Sequence, residues 1–555
     1  MQNIVIVDVG STTTKALLFG VRDGCWRYQE RGESATTVEA PEADVMIGVL
    51  RSIRLLEDRS GLTLISGEYP DYSVNCSYFL ATSSAGGGLQ MVVCGNAKKI
   101  TGESARRAAL GGGAVLLEVF TPDDGYHHFH RLERLRSLRP DMILLSGGVE
   151  GAQNISFLIE MCDFIRTARP KSKFDSDTKL PIIFAGASGA IPTVIDLLET
   201  DFHLRIVDNL RPSFERENLG PTREAIHNLF VEHVMSNAPG YDSLSAIVSR
   251  PILPTPSSVG EILERYAKRI NSDILCLDIG GATTDVYSVA NGRFVRSVSA
   301  NYGMSYSIGN VVADAGIDRI RCWLSDDITS AQIMESIGAK QLHPVTLPTT
   351  KNDLLIEQAV AREALRMSFE DHLELATIQS SRSSFESDLF VTHDKLRIEQ
   401  FDIVIGSGGV LSNAPERKQA AVMLLDAVKP VGMTRLFVDS VFMLPHLGAY
   451  SIVDEEAALS VLELDCLIPL GTVLSPVGRV AHGQVGLQVS GFSSQGNTVI
   501  AEAKGGELIF VPLPSDEYAD IELRCRNGVR WHGGSNIRVY GGECGLMLDL
   551  RQNSA

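Results

Sequence analysis

One local pattern occurs twice in the chain. Ile-Val-Ile-Val runs into Asp-Val-Gly-Ser-Thr-Thr-Thr-Lys at Asp8 to Lys15. Ile-Leu-Cys-Leu runs into Asp-Ile-Gly-Gly-Ala-Thr-Thr-Asp at Asp278 to Asp285. Short apolar runs rich in β-branched residues read as buried strands. Asp-X-Gly at the strand end marks a tight turn that glycine enters without steric cost. Both copies continue as a second apolar segment, KALLFGV in one and DVYSVANGRFV in the other, with Asn291-Gly292 as a hairpin turn signal. Each copy is therefore expected to be a hairpin folded around its own Asp-Gly loop. Such a chain is predicted to be a duplicated α/β protein.

A second pair of segments points the same way. DMILLSGGV (Asp141 to Val149) resembles DIVIGSGGV (Asp402 to Val410), and they follow their Asp-Gly loops by 133 and 124 residues. Helical patterns lie between, such as SSVGEILERYAKRI before the second Asp loop and RKQAAVMLLDAV after the second Ser-Gly-Gly-Val. The expected organisation is a first lobe over 1–250 with an α/β insertion and a second lobe over 251–459. PILPTPSSVG at Pro251 to Gly260 marks the boundary. Short alternating runs broken by glycine predict a small all-β domain over 460–555.

Composition narrows the function. With 555 residues, 44% hydrophobic and 21% charged, the chain reads as a multidomain globular protein. A net charge of −18 disfavours nonspecific binding to nucleic acid or to an anionic membrane. Nine widely spread cysteines without a CxxC pair argue against a disulfide framework or a structural zinc site. The opening MQNIVIVDVG reads as a first strand rather than a signal peptide, and no uncharged run reaches membrane-spanning length, so a cytoplasmic location is expected.

The chemistry follows from the loops. Glycines let backbone N–H groups approach an anion, and Thr and Ser hydroxyls add donors, so each loop is a candidate phosphate cradle. Two such loops suit the two sides of one polyphosphate. Carboxylates at that place require a cation, and Mg2+ held through carboxylates and waters fits. The second Ser-Gly-Gly-Val continues as LSNAP and the first as EGAQN, which suggests one nucleotide with its base against the second half.

These motifs resemble those of the actin, heat-shock chaperone and sugar kinase superfamily of ATPases. DVGSTTTK is similar to its first phosphate loop, DIGGATTD to its second and VIGSGGVLSN to its adenosine loop. The resemblance implies an actin-like (ribonuclease H-like) fold that binds ATP and Mg2+. It places Asp8 and Asp278 around the metal as the catalytic carboxylates, with Asp285 beside them. Gly10, Ser11, Thr12, Thr13 and Lys15 would meet phosphate from one side, and Gly280, Gly281, Thr283 and Thr284 from the other. Gly406, Ser407, Gly408 and Gly409 would pack on adenosine. More narrowly, ATSSAGGGLQMVVCG, LRPDMILLSGGVEG, PILPTPSSVGEI, LDIGGATTDVYSV and NYGMSYSIGNV resemble the accessory L protein family of adenosylcobalamin-dependent glutamate mutase. That resemblance implies an ATP-driven reactivase whose partner is a coenzyme B12-dependent mutase.

Other motifs have plainer readings. SSAGGGL (Ser83 to Leu89) and LGGGA (Leu110 to Ala114) look like anion loops but suit packing or hinge roles better, and AGASGA (Ala185 to Ala190) suits a βα connection. YHHFH (Tyr126 to His130) and RLERLRSLR (Arg131 to Arg139) read as solvated surface. Glu150 is a minor candidate for positioning a water. DFHLRI at Asp201 lacks the glycine of the cobalamin-binding DxHxxG motif, which argues against base-off corrinoid binding by this chain. A sugar-type small-molecule kinase, an actin-like scaffold and a hydantoinase-type hydrolase are the alternatives. The kinase requires a further general-base Asp that the sequence does not single out.

Overall fold

The computed structural model describes residues 3–552, apart from residues 11, 39–41, 68–71, 85–88, 97–100, 113, 123, 126, 153–154, 172–178, 214–215, 231–238, 300–301, 306, 344–345, 376 and 380–392. The chain forms two compact units. One is Met1–Ile262 with Pro445–Val461, and the other is Leu263–Leu444 with Leu462–Ala555.

The first unit opens with an antiparallel meander, β1 (Asn3–Val9), β2 (Thr13–Arg22) and β3 (Cys25–Ala35). Helix α1 (Val45–Ser60) covers one face of it. Its start is set by Asp44, whose side chain accepts from Met46 N at 2.8 Å, and its end by Gly61 at φ 70°. Val5, Val7 and Val9 of β1 pack with Val45, Val49, Ile53 and Leu56 of α1. Ile4 and Ile6 are buried too, so both faces of β1 are covered, as its unbroken apolar run requires. After the short ladder β4 (Ile65–Ser66) and β5 (Ser73–Val74), strand β6 (Tyr78–Ser83) runs parallel to β1 with Asp8 opposite Thr82.

The chain then builds a separate sheet from β7 (Leu89–Cys94), β8 (Ala114–Phe120), β9 (Met142–Leu145), β10 (Pro181–Phe184) and β11 (His203–Ile206). All neighbours are parallel, in the order β8-β7-β9-β10-β11. Helices α2 (Glu103–Gly111) and α6 (Gly220–Leu229) cover one face. Helices α3 (His128–Leu138), α4 (Ser156–Ala168) and α5 (Ile191–Leu198) cover the other. This is the doubly wound 2-1-3-4-5 order. Through α7 (Tyr241–Ile247) the chain returns to β12 (Leu253–Pro254), parallel to β6, which completes a sheet ordered β3-β2-β1-β6-β12. Helix α8 (Thr255–Ile270) follows at once, with proline as its second residue, where the missing N–H costs no helical bond.

The second unit repeats the meander with β13 (Ile274–Ile279), β14 (Thr284–Ala290) and β15 (Arg293–Ser299). Helices α9 (Ile308–Ala315), α10 (Ile317–Arg321), α11 (Ser330–Leu342) and α12 (Lys351–Leu375) and the ladder β16 (Thr377–Gln379) and β17 (His393–Lys395) precede β18 (Ile403–Ser407). Then come α13 (Gly409–Ser412), α14 (Arg417–Val428) and β19 (Gly432–Asp439). Strand β18 is parallel to β13 with Asp278 opposite Ser407, and the sheet reads β15-β14-β13-β18-β19. Helices α15 (Leu444–Ser451) and α16 (Glu455–Val461) belong to the first unit. Beyond them β20 (Leu467–Ser475) pairs antiparallel with β19. The tail adds β21 (Val477–Gly478), β22 (Val485–Ser493), β23 (Thr498–Lys504), β24 (Leu508–Val511), β25 (Tyr518–Cys525), β26 (Val529–Arg530), β27 (Asn536–Tyr540) and β28 (Leu546–Asp549). This region is all-β. Three of its strands extend the second sheet as β19-β20-β28-β24, and four form a sheet ordered β23-β22-β25-β27.

The two central sheets thus share one strand order. The register also corrects the expected pairing of the two Ser-Gly-Gly-Val segments. Ser407 stands beside Asp278, but the residue beside Asp8 is Thr82, immediately before SSAGGGL. The first Ser-Gly-Gly-Val caps β9 in the inserted sheet. Identical local sequence does not choose a strand's neighbours; long-range pairing does.

Candidate functional site

Both Asp-Gly loops are the same turn. Gly10 N donates to Thr13 O at 3.1 Å, and Gly280 N donates to Thr283 O at 2.9 Å. The hairpins hold the same register: Asp8 opposes Lys15, and Asp278 opposes Asp285. A Cβ on Gly10 would lie 2.7 Å from Thr13 O, which no real side chain tolerates. Ser11, expected among the phosphate donors, lies outside the described residues. Thr12 and Thr13 are half-buried on the turn.

In each unit the segment after the third strand straps back onto its loop. In the first, Thr36 N donates to Thr12 O at 3.0 Å and Thr36 Oγ1 to Gly10 O at 2.8 Å. In the second, Met304 N donates to Gly280 O at 3.0 Å and Ser305 N to Gly281 O at 2.7 Å. Gly303 is the close approach that permits this, since a Cβ there would fall 2.4 Å from the Ala282 carbonyl carbon. The strap lies in NYGMSYSIGN, a motif quoted above without a role for its glycine.

Asp8 is 2% exposed, and its Oδ1 accepts from Thr82 Oγ1 at 2.7 Å and Thr255 Oγ1 at 2.6 Å. Burying a carboxylate is costly unless such donors satisfy it. Thr255 belongs to the segment expected to be only a lobe boundary. His446 of α15 completes this surround. It is fully buried, its Nε2 lies 3.3 Å from Lys15 O, and burial pushes its pKa down to about 4. Proximity in sequence signals neither Thr255 nor His446.

In the second unit Asp285 is matched by a buried cation. Arg296 Nε donates to Asp285 Oδ1 at 2.8 Å, and Thr283 Oγ1 to Oδ2 at 3.3 Å. Thr284, expected on phosphate, is fully buried and its hydroxyl donates to Tyr302 O, so it braces the strap. Asp439, at the end of β19, is fully buried and caps the next turn. It accepts from Met443 N at 2.8 Å, Leu444 N at 3.1 Å and Val441 N at 3.3 Å, while burial raises its pKa. Burial, then the charges of Asp278, Asp439 and Asp285, push the Cys276 thiol well up. Among the described residues no group of three or more His, Cys, Asp or Glu side chains is arranged to hold a metal ion by itself.

The four residues of the second Ser-Gly-Gly-Val region have different jobs. Gly406 faces the core, where a Cβ would meet Leu411 and Leu424 at 3.0 Å. Gly408, at φ 100°, sits so close to β13 that a Cβ would lie 2.1 Å from Ile279 O. Gly409 opens α13 with only Asn413 Nδ2 within 4 Å, at 3.9 Å. The hydroxyls of Ser407 and Ser412 are buried and have no hydrogen-bond partner among the described residues, a state that a polar ligand would relieve.

The repeated sheet and its repeated turns define a duplicated actin-like, ribonuclease H-like fold of the class that includes ATPases and sugar kinases. Within that class the chain belongs to the MutL protein family, whose model matches residues 4–466. A relative named Protein MutL, from Clostridium tetanomorphum, is 26% identical over 479 residues, which is 81% of this chain and 96% of that protein. Among solved structures, component A of (R)-2-hydroxyglutaryl-CoA dehydratase from Acidaminococcus fermentans is 10% identical with a TM-score of 0.31, covering 82% of this chain and 100% of its own. Diol dehydratase-reactivating factor in nucleotide-free form is 10% identical with a TM-score of 0.29, covering 83% and 99%. Among the described residues no helix is long and apolar enough to cross a membrane.

Proposed function

We propose that this chain is an ATP-driven reactivase. It binds and hydrolyses Mg-ATP and uses the cycle to open an adenosylcobalamin-dependent mutase and release damaged cobalamin, with glutamate (methylaspartate) mutase as the client. The observation that carries the ATP assignment is the Asp-Gly turn built twice, in the same register, at the same position of two like sheets. Membership of the MutL family and the motif resemblance to the glutamate mutase accessory protein support the client assignment.

In this reading Gly10, Thr12, Thr13, Gly280, Gly281 and Thr283 present the turn N–H and hydroxyl donors to phosphate. Asp8 is held rigid by its two threonines, Asp285 is neutralised by Arg296, and Asp439 is held by backbone amides. Asp278, which stands opposite Asp285 and Ser407 in the sheet register, is the carboxylate assigned to orient the hydrated Mg2+, which supplies charge stabilisation for phosphoryl transfer when bound. Ser407, Gly408 and Gly409 receive the adenosine. Work reaches the client only if the ATP state and the product state bind it differently.

The test is phosphate release from ATP, with and without glutamate mutase loaded with cyanocobalamin. Stimulation by the blocked mutase, with loss of its corrinoid, is expected. Hydrolysis that ignores glutamate mutase would remove it as the client, and absence of ATP binding would overturn the site.

A further inference from the structure

The two residues that oppose each other across the first Asp-Gly hairpin are both held from outside the meander. Asp8 accepts from Thr255, the first residue of α8, and the Lys15 carbonyl accepts from His446 Nε2 of α15 at 3.3 Å. The two helices are locked to each other. Ser258 Oγ of α8 donates to Pro445 O at 2.7 Å, and α15 passes so close that a Cβ on Gly448 would lie 1.8 Å from Ser258 O. Thr255, Ser258, Pro445, His446 and Gly448 all belong to the first unit. One helix pair thus delivers a threonine to the Asp and a histidine to the Lys.

Stability does not account for His446. A carbonyl only accepts, so Nε2 carries the proton and Nδ1 keeps a lone pair. The ring is fully buried, burial holds it neutral, and Nδ1 has no hydrogen-bond partner among the described residues. An unmet buried acceptor lowers stability. Lys15 lies in the middle strand of the meander, opposite Asp8 on one side and Glu33 on the other, so its carbonyl has a ladder bond without the histidine. The fold therefore buries a polar ring, at a cost, for a contact that the sheet does not need. A group of that kind calls for a functional explanation.

What the contact fixes is the direction of Lys15. Directly opposed residues of an antiparallel pair project from the same face of the sheet, so the side chains of Lys15 and Asp8 leave it together. Lys15 is half-buried, and a lysine places its charge at the end of a flexible four-carbon stem. The ammonium is aimed only as well as the backbone beneath it is held. Thr255 does this for the carboxylate of the pair, and His446 does it for the cation.

We propose that His446 is a positioning residue for phosphoryl transfer: through the Lys15 carbonyl it fixes the strand that presents Lys15 to phosphate beside Asp8. This rests on the ATP reading above. The test compares the full-length wild type with His446→Leu, which removes the polar ring, and His446→Gln, whose side-chain amide keeps an N–H for the carbonyl. Each protein is measured by thermal melting at neutral pH, by kcat and KM for ATP, and by amide hydrogen exchange of the β1–β2 hairpin without nucleotide. We expect His446→Leu to melt no lower than the wild type, to lose about tenfold in kcat with KM within about twofold, and to exchange faster in the hairpin. His446→Gln should restore both kcat and exchange. Wild-type kcat in His446→Leu, or a kcat loss matched by a lower melting temperature in both variants, would overturn the proposal. A wild type that turns over no ATP overturns the ATP reading instead, and hydrogen exchange still decides the contact. Equal exchange in all three proteins removes His446 as a positioning residue, and faster exchange in His446→Leu alone retains it.

Discussion

Replacing Thr255 by valine isolates what holds Asp8. The two side chains are near in volume, so the change removes one hydroxyl that donates at 2.6 Å to a carboxylate only 2% exposed. A hydrogen bond to a charged, buried acceptor contributes about 1.5–3 kcal/mol, and its loss leaves Thr82 as the other hydroxyl on Oδ1. Urea unfolding followed by tryptophan fluorescence should show a loss of about 2 kcal/mol for Thr255→Val and little for Thr255→Ser. Thr82→Val should cost a similar amount, and the double variant should differ from the sum, because both hydroxyls serve one oxygen. ATP turnover should fall with the stability in Thr255→Val and stay near wild type in Thr255→Ser. If Thr255→Val and Thr255→Ser are equally stable and equally active, the claim that this contact orients Asp8 is wrong.

Three further outcomes follow from the same structure. His372, held between Ser288 and Ser297 at 2.8 Å on each side, has its pKa pushed by burial to about 3, and His446 to about 4, from an ordinary 6.5. The folded state refuses protons that the unfolded state accepts, so this stability is complete above pH 6.5 and is lost as pH falls. At pH 5 the loss is about 2 kcal/mol for each histidine, and a His372→Gln variant should show a shallower decline between pH 6.5 and 5 in urea titrations. Gly408→Ala must displace Ile279 O and should lose ATP affinity with reduced stability, whereas Gly409→Ala meets only Asn413 Nδ2 at 3.9 Å and should melt like the wild type in calorimetry. Asp278→Ala should retain the wild-type circular dichroism spectrum and lose most ATP turnover; intact turnover in the folded variant would remove that loop from the site.

The two Asp-Gly turns were legible because everything that makes them is local. Asp8 and Lys15 oppose each other across one hairpin, and so do Asp278 and Asp285, so strand pattern and glycine placement suffice to predict both loops and the duplication they imply. The all-β tail was legible for the same reason, from alternation and glycine breaks. Only the tertiary structure revealed what holds the loops. Thr82 and Thr255 reach Asp8 from 74 and 247 residues away, and nothing near either threonine announces a carboxylate partner. The fate of the Ser-Gly-Gly-Val copies was equally hidden. One stands beside Asp278 and the other caps a strand of an inserted sheet, because a strand's sequence sets its burial but long-range pairing selects its neighbour.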